Sequence, residues 1–320
     1  MTKHRWPEVN DNHQGRHKCQ AFLLVLLLVL LVSVPVMAET SALSMQILGS
    51  GGPELSDKRA STSYLLSLDG KARLLMDTGP GSSLHFEVSG ADLNDIDAVL
   101  FSHFHVDHSA DFPAYIKAGY FSGRDRDLPV YGPAGNALMP STQGFIQGLF
   151  GKQGVYRYLN EYLAPEAKAA YKLKPIDVKP RADQAYQTKL SHEITLRAVN
   201  VPHGPIPALA WRIDAAGCSL TFSGDTNLPG SVLTELASGS DLLIAHHAVP
   251  EHAGPAALSL HMPPSLIGKL AAEAGVKRLL LSHRMQRAAD SEAETLRKIR
   301  EHYAGPVEFA EDMARYQPCP

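Results

Sequence analysis

The stretch Asp97-Ala98-Val99-Leu100-Phe101-Ser102 is an apolar run that stops at His103-Phe104-His105-Val106-Asp107-His108, so four side chains able to bind metal fall within six positions. Alternate residues of an extended chain point to one side, which lets His103 and His105 aim together as the strand ends. Asp107 and His108 follow as the chain turns and can face a second ion beside the first. Zinc takes imidazole nitrogen and carboxylate oxygen at about 2.0–2.2 Å, and a catalytic site leaves one position open for water. Four such donors gathered at the end of a buried strand point to a metal site rather than to surface histidines. The chain must therefore fold so that strand ends meet at one edge.

Strands suited to that task recur along the sequence. Apolar runs closed by Gly, Asp or Ser occupy 45–51, 61–68, 72–79 and 97–102, and resume at 194–203, 208–214, 218–225, 241–248, 276–283 and 307–312. Helices are expected at 109–118 with Ser109 as cap, at 142–163, at 263–275 and at 290–305. Strands in each half with helices between them predict an α/β (α+β) protein built as a four-layer αββα sandwich. Residues 119–190, rich in Gly and Pro, read as an insertion or lid-like subregion, with Phe145, Phe150, Tyr156 and Tyr162 as its local core.

The first residues read as an export signal. Residues 21–32 (AFLLVLLLVLLV) are uninterrupted by charge, Lys3, Arg5, Arg16 and Lys18 precede them, and Pro35 with Val36-Met37-Ala38 follows. This tripartite pattern predicts cleavage after Ala38, a run too short to span a bilayer comfortably, and a periplasmic or secreted domain over 39–320 with no stable membrane span. The removed piece carries four basic and two acidic residues, which takes the formal charge from −3 to −5. No dense basic run remains, which argues against a nucleic-acid partner, because phosphate contacts are made by Lys and Arg. Cys19 leaves with the signal. A Cys218–Cys319 disulfide is permissible in an oxidising compartment, although two separate thiols are the simpler expectation.

Three more donors end apolar strands further along: His203 in VPHGP, Asp225 in SGDT and His283 in LLLSH. HFHVDH followed by these three in this order resembles the metallo-β-lactamase superfamily and its HxHxDH motif. LGSGGPEL (48–55), MDTGPG (76–81) and the HMPP…LLLSHRM ending resemble the ribonuclease Z branch, which includes secreted arylsulfatase-like and cyclic-nucleotide phosphodiesterase-like members. The resemblance covers almost all of 39–320. It implies a first zinc on His103, His105 and His203, a second on Asp107, His108 and His283, and Asp225 bridging them. Two ions about 3.5–4 Å apart can share a hydroxide nucleophile. Manganese or iron suits the same donors. Asp77, in MDTG, is expected to support a ligand imidazole rather than to bind metal.

Asp107 and His261 are the candidate catalytic residues. A histidine at the position of His261 approaches the scissile phosphate in ribonuclease Z-like proteins, where it could stabilise the developing charge or protonate the leaving group; the plainer reading is a residue at a helix start. One departure stands out. The tRNA-processing members carry a Glu in a short HEAT-like segment that orients this histidine. This chain has Ala245-His246-His247-Ala248 there, leaving His246, His247 or Glu251 to take the part. The expected activity is hydrolysis of a small ester, a phosphodiester or aryl sulfate, by a metal-bound hydroxide. The rivals are a tRNA 3′-processing endonuclease, a lactonase-like hydrolase and a non-catalytic zinc-binding protein.

Overall fold

A computed structural model of the 320-residue chain describes residues 43–319. The apolar run, the cleavage position after Ala38 and Cys19 lie outside the described residues. Among the described residues no helix is long and apolar enough to cross a membrane.

Six strands come first: β1 (Leu43–Gly49), β2 (Ser63–Leu68), β3 (Lys71–Met76), β4 (Ala98–Leu100), β5 (Leu128–Pro133) and β6 (Leu173–Val178). Then follow β7 (Tyr186–Lys189), β8 (Thr195–His203), β9 (Ile206–Ala215), β10 (Cys218–Phe222), β11 (Leu242–His246), β12 (Leu279–Ser282) and β13 (Val307–Phe309), with β14 (Arg315–Tyr316) last. They form two seven-stranded sheets, ordered β14-β1-β2-β3-β4-β5-β6 and β13-β12-β11-β10-β9-β8-β7. The pairs from β3 to β6 and from β10 to β13 are parallel. Their carboxyl ends therefore open in one direction, and ligands of open parallel sheets bind outside such ends.

The period of two along each strand separates the layers. Leu43, Met45 and Ile47 of β1, with Tyr64, Leu66 and Leu68 of β2, face Leu209, Trp211 and Ile213 of β9 in a core between the sheets. Trp211 is fully buried there, and its Nε1–H donates to Phe101 O at 3.0 Å, fastening the second sheet to the residues just before His103. On the outer face of the first sheet, Leu48, Leu65 and Leu75 pack under Phe86, Phe112 and Phe150 from helices Ser82–Ser89, Phe112–Ala118 and Thr142–Phe150. On the outer face of the second, Val199, Val201 and Ala210 meet Leu233, Leu270 and Ile299 from helices Gly230–Ala237, Pro264–Glu273 and Glu292–Arg300. This is the αββα order expected from the sequence.

Three local expectations are corrected. Residues 119–190 are not a lid-like insertion: β5 and β6 are strands of the first sheet and β7 of the second. Only the 134–172 connection departs from the sheets, and its helix Thr142–Phe150 stacks Phe145 on Phe104 of the histidine motif (centroids 4.3 Å apart). Pro129 and Pro133 in β5 and Pro175 in β6 disguised these strands as loop. Proline is tolerated near a sheet edge, and β6 is that edge. The helix expected at 142–163 divides at Gly151 into an α-helix and a 3₁₀ turn over Arg157–Tyr162. Phe150 and Tyr162 are buried as local core, whereas Tyr156 is exposed. The helix after the motif begins at Val106 and not at the expected Ser109 cap; Ser109 Oγ instead donates to His105 O, and a second helix starts at Phe112.

The expectation of two separate thiols is also overturned. Cys218 and Cys319 form a disulfide. Cys218 begins β10 in the second sheet, and Cys319 follows β14 of the first, so the bond ties the two sheets together at the C-terminus. Closing a loop of 101 residues restricts the unfolded chain strongly, and native disulfides of this kind contribute about 2–4 kcal/mol. Peptide mapping without reductant should recover the Cys218–Cys319 pair, and Cys319→Ser should lower the thermal midpoint to that of the reduced wild type. Free thiols at both positions in the native protein would contradict the bond.

Candidate metal centre

His103 and His105 leave β4, Asp107 and His108 lie in the first turn after them, and His203 is the last residue of β8. Asp225 follows β10 by three residues, and His283 follows β12 by one. All seven predicted residues converge. Asp225 Oδ2 lies 3.8 Å from His103 Nε2, 3.6 Å from His203 Nε2, 3.6 Å from His108 Nε2 and 3.4 Å from His283 Nε2. His105 Nδ1 lies 3.4 Å from His203 Nε2, and Asp107 Oδ2 lies 3.2 Å from His283 Nε2 and 3.5 Å from His108 Nε2. Donors about 2.1 Å from a tetrahedral ion are about 3.4 Å apart. The spacing fits two ions that share one carboxylate oxygen.

The tautomers agree with that reading. Asp77 Oδ2 accepts from His108 Nδ1 at 2.8 Å and from Ser102 Oγ at 2.7 Å. Ser102 Oγ, having given its proton to Asp77, accepts from His103 Nδ1 at 3.1 Å. His203 Nδ1 donates to Leu260 O at 2.9 Å. Each bond directs a bare Nε2 at the cluster. Among the described residues the buried His103 Nε2 and His108 Nε2 have no hydrogen-bond partner, and buried polar groups without partners call for an explanation such as an ion. The contact expected of Asp77 is thus present.

Two residues of the cluster sit in left-handed backbone, Asp77 at φ 55° and His283 at φ 53°. Such conformations cost on the order of 1–3 kcal/mol for a non-glycine residue and persist where surrounding structure enforces them. Gly79 shows the same pressure: a Cβ there would lie 2.2 Å from Asp107 O, so only glycine lets the MDTG loop pass under the motif.

Of His246, His247 and Glu251, the three candidates to orient His261, none does so. His246 is turned elsewhere. Its Nδ1–H donates to Asp225 Oδ1 at 2.7 Å, and its Nε2 takes the Tyr64 hydroxyl at 3.2 Å. Although His246 lies close enough to His108, Asp225 and His283 to be counted with them as a metal donor, its Nδ1 is spent on Asp225, and Asp107 completes the second set. Burial lowers the proton affinity of His246, consistent with a neutral ring that gives one bond and takes another. Tyr64 escaped the sequence reading because a tyrosine within an apolar strand carries no motif. Glu251 Oε2 accepts from Ser265 N at the start of helix Pro264–Glu273, and His247 Nε2 meets Thr295 Oγ1 at 3.0 Å, so neither reaches His261. A third group, Cys218, Asp241 and Cys319, is closed to metal by the disulfide.

His261 stands over the cluster, with its Nδ1 3.9 Å from Asp225 Oδ2 and its ring 5.4 and 5.5 Å from those of His203 and His283. Burial pushes its pKa down to about 3, against the pull of Asp225. His108 and His283 move the other way: burial opposes their charge, but Asp107 and Asp225 (and Asp77 for His108) raise them. Asp225 is held well below the usual carboxylate range by His283 and His108 despite its burial.

The profile of the Beta-lactamase superfamily domain matches residues 72–284. The chain belongs to the metallo-β-lactamase superfamily. A ribonuclease Z of Mycolicibacterium paratuberculosis is 26% identical over 292 residues, covering 86% of this chain and 98% of that protein. The metallo-β-lactamase fold protein YhfI of Bacillus subtilis superposes with a TM-score of 0.65 at 21% identity, covering 86% and 99% of the two chains. The short form of human tRNase Z superposes at 0.66 and 20%, covering 87% and 100%. This metallo-β-lactamase-fold protein is a metal-dependent hydrolase acting on ester bonds.

Metal donation needs neutral imidazole, so binding competes with protons. In the metal-free protein the raised His108 and His283 stabilise the fold below pH ~6.5, the unperturbed histidine value, and that contribution is lost as pH rises through their folded-state values. Divalent metal binding near neutrality should therefore release protons from these two rings. Calorimetry in buffers of different ionisation enthalpy reads the release. A binding enthalpy independent of the buffer would rule this protonation out.

Proposed function

We propose that this hydrolase is exported and uses two zinc ions to cleave a small anionic ester, a phosphodiester or an aryl sulfate. The observation that carries the reading is the pair of donor sets meeting on one oxygen of Asp225. His103, His105 and His203 would hold one ion, and Asp107, His108 and His283 the other. Such a pair supplies Lewis-acid stabilisation of charge and water ionised near neutral pH.

The protein side does the positioning. Asp225 Oδ1 is occupied by His246, which leaves Oδ2 to face both donor sets. Asp77 and Leu260 O set the rings of His108 and His203. Asp107, acidic beyond its ordinary range because His108 and His283 outweigh its burial, stays anionic and can accept a bond from the attacking water. His261 Nδ1 has no hydrogen-bond partner among the described residues, yet lies 3.9 Å from Asp225 Oδ2. It is placed to meet the reacting group and to deliver a proton to the departing oxygen.

Export is supported by the apolar run over 21–32 and by the Cys218–Cys319 disulfide, since such bonds persist in oxidising compartments. A second reading has a specific support: the curated relatives bear the name ribonuclease Z, which favours an RNA phosphodiester. A formal charge of −5 after removal of residues 1–38 and the loss of the carboxylate in the AHHA segment favour the small ester. N-terminal sequencing of the native protein should begin at Glu39 in an extracytoplasmic fraction; a cytoplasmic chain beginning at Met1 would favour RNA instead.

The zinc-loaded protein, assayed against chromogenic phosphodiester, sulfate, lactone and cephalosporin substrates, should turn over the first two. His108→Ala should lose at least one ion. His261→Ala should keep both and lose about 10²–10⁴-fold in rate, the range for a general acid. That loss should shrink for a good leaving group such as nitrophenolate, which departs without a proton. Unchanged turnover on every substrate would make His261 structural.

A further inference from the structure

Two arginines follow His283, at +1 and +4, and they differ in commitment. Arg284 is buried and paired through both Nη groups: Nη1 donates to Ala310 O at 3.1 Å and to Glu311, and Nη2 donates to Glu292. Arg287 is exposed. Its Nε donates to Ala248 O at 2.8 Å, and Nη2 touches Met285 Sδ at 3.3 Å. Among the described residues no carboxylate oxygen lies within 4.0 Å of its guanidinium, and none takes a bond from Nη1. The nearby Glu54 carboxylate instead caps Gln286 N at 2.6 Å, where the short helix Gln286–Ala289 starts.

The anchor fixes where this unpaired charge stands. Ala248 is two residues beyond His246, the ring that holds Asp225, and Arg287 is four residues beyond His283, so the guanidinium is tethered at the carboxyl ends of β11 and β12, where both rings enter the cluster. A guanidinium held through Nε, with one Nη2 proton on Met285 Sδ, keeps Nη1 and the other Nη2 proton for a ligand, and this planar pair matches two oxygens of a phosphoryl or sulfuryl group. A merely solvated arginine needs neither a backbone anchor nor a place at the strand ends that carry His246 and His283.

We infer that Arg287 is a specificity-determining residue that binds the anionic, non-bridging oxygens of the substrate at the rim of the cluster formed by the ends of β11 and β12. The inference rests on the ester-hydrolase reading above and narrows it: the fork selects a charged phosphodiester or sulfate over a lactone or other neutral ester.

The test compares zinc-loaded wild type with Arg287→Met, which keeps the apolar stem, and Arg287→Lys, which keeps the charge without the fork. A hydrogen bond to a charged group corresponds to roughly 10–100-fold in affinity. For bis(p-nitrophenyl) phosphate, Arg287→Met should lose that factor in kcat/KM, chiefly through KM, with both ions retained. For neutral p-nitrophenyl acetate the loss should be far smaller, and Arg287→Lys should fall between the other two on the phosphodiester. Calorimetric affinity for dimethyl phosphate should fall in parallel with the phosphodiester KM. Equal losses on the two esters, or dimethyl phosphate affinity unchanged in Arg287→Met, would overturn the role. Wild type without phosphodiesterase or sulfatase activity would defeat the substrate reading by itself, and the dimethyl phosphate arm would still decide for or against Arg287.

Discussion

The structure turns on the carboxylate of Asp225. It is buried, and four imidazole nitrogens from three different segments lie 3.4–3.8 Å from its Oδ2. A carboxylate removed from water costs several kcal/mol unless it is paired, and imidazoles crowded together repel once protonated. The cluster has two ways to balance. Without metal, His108 and His283 carry protons and pair with Asp225 and Asp107. With metal, the same nitrogens are neutral and divalent charge takes over the pairing. His103 and His105, whose protonation burial disfavours, suit only the second arrangement. Divalent metal therefore offers the buried carboxylates a pairing that needs no proton on any of these rings.

Everything around Asp225 keeps that balance in place. His246 and Tyr64 hold its Oδ1 from inside the core, Asp77 with Ser102 holds His108 and His103, and Leu260 O holds His203. These groups come from both sheets, so the centre forms only when the two sheets pack. Trp211, bonded to Phe101 O two residues before His103, links that packing to the motif directly. The left-handed turns at Asp77 and His283 are tolerated because this packing leaves no relaxed alternative: Asp77 N and Thr78 N are both bonded, to Leu100 O and His108 O.

Most of this was legible in the sequence because metal sites concentrate their information. Four donors in six residues and three further strand-end donors in order named the centre, and the period of two named the sheets. Less visible were features whose signal is spread out or disguised. β5 and β6 contain prolines and a glycine that read as loop, and only their pairing in the first sheet reveals them. Tyr64 looks like any core residue of β2 until His246 is found beside it. The disulfide depends on two residues 101 positions apart, a distance no local pattern bridges. Arg284 and Arg287 are indistinguishable in sequence, and only their partners separate a structural cation from an available one.

The AHHA segment shows how a lost carboxylate changes the division of labour. Where the tRNA-processing pattern has a Glu, this chain has a histidine that holds the Asp225 carboxylate instead. His261 is then left to backbone control. Its N–H donates to Ala257 O at 3.0 Å, and the preceding residue, Leu260, takes the Nδ1–H of His203. A Cβ on Gly204 would meet Leu260 Cδ2 at 2.8 Å, so the turn after His203 is pared to let this segment close on it. One hydrogen bond thus joins the segment carrying the proton donor to a ring of the metal cluster. A side-chain carboxylate orients a ring and also raises its proton affinity, whereas a backbone tether orients it alone. His261 in this chain is accordingly held by its backbone, and the pull of Asp225 on its proton affinity is outweighed by burial.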